Sequence, residues 1–94
     1  MIDELIRLLQ MGARPTVWLW HGKDHEEVPF VKVWFDGLVL RAEVRKATPG
    51  ADAIEFRENG VKVWKVFINT GKRRAFTFEQ PIVIGKPKLG WLPD

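Results

Sequence analysis

The sequence contains no serine, no cysteine and no tyrosine. Ser/His/Asp and Cys/His nucleophilic catalysis are therefore excluded by composition. Disulfides and thiolate zinc sites go with them, and nothing in the chain calls for an oxidising compartment. Only Thr16, Thr48, Thr70 and Thr77 offer a hydroxyl, and side-chain amides are as scarce: Gln10, Asn59, Asn69 and Gln80. Few amides, no cysteine and 29% charged residues fit a thermophile's composition. Long apolar runs are also missing. Lys32, Asp36, Arg41 and Lys65 interrupt the apolar stretches, so none approaches the roughly 20 residues of a spanning helix. The opening Met1-Ile2-Asp3-Glu4 is acidic where a secretory leader is basic. A soluble, cytoplasmic protein with no membrane partner is expected.

What is present is one domain's length, 94 residues, with 46% apolar content for one core. The formal net charge of +3 is unevenly spread. Residues 1–29 are net acidic, 30–59 are balanced, and 60–94 hold seven basic and two acidic groups. A basic C-terminal third suits an anionic partner, and equally a solvated surface.

Ile2, Leu5, Ile6 and Leu9 recur at helical spacing, with Asp3 and Glu4 in the first turn and Gly12 and Pro15 behind. This predicts a helix over 2–11. Ten residues are marginal alone, so the helix must pack, either as a lid on its own fold or against a partner. After Pro15 the period becomes two. Val17 and Leu19 alternate with Trp18 and Trp20, and Gly22–Glu27 reads as a polar loop. Phe30–Phe35 and Leu38–Lys46 flank Asp36-Gly37, and Ala53–Glu58 and Val61–Ile68 flank Asn59-Gly60. Both dipeptides are strong hairpin signals. Thr70-Gly71 reads as a third turn into Arg73–Phe78, and Gln80-Pro81 as a break before Ile82-Val83-Ile84. No βαβ rhythm is present. The expected fold is a small antiparallel β-barrel or roll of six to seven short strands over 16–84, behind one N-terminal helix. In general style it resembles small OB-like and SH3-like barrels, without a motif diagnostic of either. The tail 85–94 is expected to be irregular.

Taking Asp36-Gly37 as a two-residue loop pairs Val33 with Leu40, Trp34 with Val39, and Lys32 with Arg41, a like-charge pair. Taking Asn59-Gly60 likewise pairs Phe56 with Val63, Arg57 with Lys62, and Glu55 with Trp64. Each hairpin then presents an apolar inner face and an outer face with one tryptophan beside two cations. Val33, Leu40, Phe56, Val63 and Phe67 are the expected core. Trp64 is open to either face, because its strand is apolar on both. Trp18 and Trp20 either add to the outer face or join the core.

His21, Asp24, His25, Glu26 and Glu27 are the only cluster of metal-type side chains, but their segment is not helical and zinc wants more ligands. Glu43, Glu55 and Glu58 each lie near cations and read as charge partners rather than tuned acids. No Gly-rich phosphate loop is present. No catalytic residue, metal or cofactor is expected. Gly71-Lys72-Arg73-Arg74 is the densest basic run.

Aromatics interleaved with Lys and Arg on a small barrel are the elements of non-specific nucleic-acid binding. The expected function is therefore non-enzymatic nucleic-acid binding with little sequence preference, to single strands or duplex. The expected stacking residues are Trp34 and Trp64. The expected phosphate contacts are Lys32, Arg41 and Lys62 on the sheet, and Lys72, Arg73 and Arg74 on the turn. The rival is a protein-interaction or assembly module, viral or regulatory, including a homo-oligomer. It would use Leu89, Trp91 and Leu92 of the tail, the helix, or the tryptophan face.

Overall fold

The computed structural model describes residues 2–82. The order is α1 (Ile2–Gln10), β1 (Thr16–His21), β2 (Asp24–Glu27), β3 (Phe30–Asp36), β4 (Val39–Arg45), β5 (Ala53–Glu58), β6 (Val61–Phe67) and β7 (Phe76–Pro81). The strands form two antiparallel sheets, β2-β1-β5-β6 and β3-β4-β7. The protein is thus mainly β, with one short helix. The tail and the expected Ile82-Val83-Ile84 strand lie outside the described residues, Ile82 apart.

Both sheets bury one face in a common core. Val17, Leu19, Ile54 and Phe56 come from the four-stranded sheet, and Leu40, Ala42, Val44 and Phe78 from the three-stranded one. Leu5 of α1 is fully buried among them, and Ile2, Ile6 and Leu9 are half-buried against the cluster. The apolar helix face is therefore spent on the fold itself. Its C-terminus closes with Gly12 N–H on the Leu9 carbonyl and Ala13 N–H on the Leu8 carbonyl, 3.1 and 3.0 Å. That pattern needs a left-handed residue, and Gly12 supplies it at φ 83°.

The strand registers differ from the sequence expectation at four places. The first hairpin turns at Gly37-Leu38, pairing Asp36 with Val39 and Trp34 with Arg41. Gly37 alone of the two has positive φ, 65°, the pattern of a type II′ turn with glycine first. A slip of one residue on each side keeps every face but changes every partner. Lys32 faces Glu43, so the expected like-charge pair with Arg41 does not exist.

The second hairpin does turn at Asn59-Gly60, both at positive φ, and Arg57 does face Lys62. A bulge then intervenes. Phe56 pairs with Trp64 and Glu55 with Lys65, leaving Val63 as the extra residue. Everything beyond it changes sides. Trp64 turns inward, stacked on Phe56 with ring centroids 5.8 Å apart, and Phe67 turns outward, 85% exposed rather than core. Leu40 and Phe56 are buried as expected, whereas Val33 and Val63 are half-buried.

Third, the polar segment after Gly22 is a strand. His21 pairs with Asp24 across Gly22-Lys23, and Asp24–Glu27 forms an edge with no apolar alternation to betray it. Fourth, Thr70-Gly71 does not make a hairpin. β7 begins at Phe76 and pairs with β4, so residues 68–75 cross from one sheet to the other. Pro81 is tolerated in β7 because that strand is an edge.

Candidate nucleic-acid interface

The two sheets expose two outer faces of different character. On the three-stranded sheet, Trp34 is half-buried with Lys32 Nζ 5.0 Å from its ring centroid. The cations there are already paired. Arg41 binds both Asp36 and Glu79, Arg45 binds Glu43 at 3.2 Å, and Lys32 lies opposite Glu43. Lys46 Nζ lies over the Phe30 ring at 4.6 Å, so four cations meet three carboxylates here and most of the charge is compensated. Of the expected site, Trp34, Lys32 and Arg41 sit here together, but as a neutralised set. Trp64, on the core side of the other sheet, is not with them.

The four-stranded sheet is built differently. Strand alternation sends Val17 and Leu19 inward and Trp18 and Trp20 outward. Cross-strand pairing sets the outer residues in three rows. His25, Trp20, Ala53 and Phe67 form the first, Glu27, Trp18, Glu55 and Lys65 the second, and Thr16, Arg57 and Lys62 the third. The bulge at Val63 makes this arrangement, since it brings Lys65 and Phe67 onto the same side as Lys62.

The tryptophans serve as a bed for cations. The Arg57 guanidinium lies 4.0 Å from the Trp18 ring centroid and Lys65 Nζ 4.0 Å from that of Trp20. The ring quadrupole favours a cation held over its face. His25 stacks on Trp20 at 4.5 Å. Beneath them Glu55 is buried, 3% exposed, accepting from Trp20 Nε1 at 2.5 Å and from Arg57 Nε at 2.9 Å. Burial raises its carboxyl, but the Arg57 and Trp20 hydrogen bonds and the charges of Arg57 and Lys65 outweigh that and hold it below the ordinary value. Glu55 therefore stays ionised and fixes the geometry of Trp20 and Arg57. Phe67 differs from the other rings of this face, because its row neighbour is the small Ala53 and it stands largely in solvent.

The basic run lies on the crossover between the two sheets. It follows Phe67 by a few residues, and Ile68 N–H bonds the Asp52 carbonyl at 3.0 Å beside the first row. Gly50 N–H to the Gly71 carbonyl and Ala47 N–H to the Arg74 carbonyl, both 2.7 Å, tie the crossover to the loop after β4. Arg73 is turned to structure: its guanidinium donates to the Thr70 and Asn69 carbonyls at 3.0 Å each. Lys72 and Arg74 are exposed.

The two histidines part company. His25 is on the outer face, whereas His21 bonds Glu26 at 3.0 Å, and Glu26 also accepts from the Thr48 amide and hydroxyl, each 3.1 Å. Among the described residues no group of three or more His, Cys, Asp or Glu is arranged to hold a metal. No described helix is long and apolar enough to cross a membrane. The chain matches no family model, no curated protein and no solved structure.

Sequence reasoning thus missed His25, Lys65 and Phe67 as members of an outer face, and paired Arg57 correctly without choosing it. The alternation of Val17 and Leu19 with Trp18 and Trp20 was the signal available for the tryptophans. For Lys65 and Phe67 there was none, because the bulge that turns them outward has no sequence mark in Lys62-Val63-Trp64.

Proposed function

We propose that this protein is a non-enzymatic nucleic-acid-binding module, and that its contact surface is the outer face of the four-stranded sheet. The observation that carries the reading is the set of Arg57 and Lys65 held over Trp18 and Trp20, with Lys62 beside them and Phe67 open. Cations pre-positioned on aromatic rings meet phosphates without first giving up much side-chain freedom. Arg57, Lys62 and Lys65 stand against Glu27 and Glu55 on that face, a surplus of one cation, with Arg57 bound to Glu55. Lys72 and Arg74, exposed on the crossover after β6, add two further cations to this reading. The contacts expected from Trp34, Lys32 and Arg41 are replaced in this reading by Arg57, Lys65 and Phe67, while Lys62, Lys72 and Arg74 are kept. The two sheets sharing one core are read as a small roll, with this face as its working side.

The interaction is expected to be electrostatic and salt-sensitive, because bound cations release condensed counterions. Fluorescence anisotropy of a labelled oligonucleotide at several salt concentrations tests it. Three to five neutralised phosphates on a single strand give a log–log slope of about −2 to −3.5. Lys62→Ala removes an exposed cation and should make the slope shallower by about 0.7. Absence of binding at low salt refutes the reading and leaves protein interaction as its successor.

A further inference from the structure

We infer that this face takes single strands in preference to duplex, and that Phe67 seats one unpaired base. This deepens the nucleic-acid reading and rests on it. The tryptophan rings are not free to stack on a ligand: Arg57 covers Trp18, and Lys65 and His25 cover Trp20. Phe67 is 85% exposed, and its row neighbour Ala53 is small and buried. A phenyl ring held open in water on a rigid strand has its largest gain from a partner with an accessible π-face. In a duplex each base hides both faces in the helical stack. An unpaired base offers one, and every base type has it, so the contact is tolerant of sequence.

The neighbouring charges fit the same ligand. Lys65 lies two residues before Phe67 on the same side of β6, roughly 6.5 Å along the strand. Lys62 lies further along that edge. A backbone running along β6 would meet both cations on one side of the ring. β6 is an edge strand, so nothing in the sheet stands between this line and solvent.

The test uses the whole chain and three labelled ligands of equal length: oligo-dT, the same strand with abasic sites throughout, and a duplex. The abasic strand keeps the phosphates and removes the π-faces. Oligo-dT should bind about tenfold more tightly than the abasic strand, the scale of one base–aromatic stack. Phe67→Ala should abolish that difference while leaving abasic affinity unchanged, and Phe67→Leu should behave the same way, since area without a ring is not enough. Phe67 is outside the core, so both variants are expected to keep the wild-type melting temperature. Equal binding of all three ligands, or tighter duplex binding, overturns the inference while leaving electrostatic binding in place. Failure to bind any of the three overturns both and assigns the exposed rim to a protein partner.

Discussion

At the scale of single residues, Glu55 organises the outer face. It is a buried carboxylate whose two hydrogen-bond donors, Trp20 and Arg57, belong to the surface it supports. Removing its charge leaves Arg57 without its counter-ion and weakens the bond to the indole. Glu55→Gln should cost about 2 kcal/mol in urea unfolding, the range of a hydrogen bond to a charged group. The same residue sets a pH dependence. A carboxyl held below its unfolded value contributes stability above the ordinary carboxylate range and loses it as pH falls through the folded value. Glu26 acts in the same direction, since the His21 and Thr48 contacts outweigh its burial. Unfolding midpoints should therefore fall from about pH 5 downwards. The fall should be shallower in Glu55→Gln. A variant with the wild-type slope would remove Glu55 from this account.

At the scale of elements, turns and bulges decide which residues share a face. Gly37 sits at φ 65° with open space where a side chain would begin, so the cost of replacing it is conformational. Gly37→Val should lose about 1–2 kcal/mol in thermal unfolding, the penalty of a left-handed L-residue, with more added for β-branching. The bulge gives a sharper test. Deleting Val63 would restore a regular ladder with Phe56 still opposite Trp64 and Glu55 still opposite Lys65. The deletion should therefore fold, losing no more than about 3 kcal/mol, the burial of one valine. In an unbulged hairpin the same deletion would invert every residue from Trp64 to Phe67 and destroy the domain. Circular dichroism melts separate the two.

The element scale is also where the sequence was most and least legible. The helix, the two main hairpins and the inner faces of β3, β4 and β5 could be read, because periodicity and the turn glycines act locally. Cross-strand partners in β3–β4 could not, because Asp36-Gly37 and Gly37-Leu38 are both acceptable turns that keep the same faces. β2 escaped because an edge strand with little burial needs no apolar residue. The path of residues 68–75 escaped because pairing of β7 with β4 is a long-range choice that the local turn signal does not encode. The candidate site inherited these errors. Its chemistry, cations interleaved with aromatics, was foreseen, but Trp64 and Phe67 exchanged roles across one bulge.

At the scale of the molecule, the two outer faces differ in how their cations are held. The three-stranded sheet binds Arg41 and Arg45 to carboxylates and sets Lys32 opposite Glu43, while the four-stranded sheet lays Arg57 and Lys65 over tryptophan and leaves Lys62 beside Arg57. A polyanion is expected on the four-stranded side. The most direct measurement is a two-dimensional amide and indole NMR titration of the protein with oligo-dT at low salt. Perturbations are predicted at the indole N–H signals of Trp18 and Trp20 and at the amides of Arg57, Lys62, Lys65 and Phe67, all reversed by added salt. Perturbations centred instead on Trp34, Lys32 and Arg41, or no perturbation, would contradict the account.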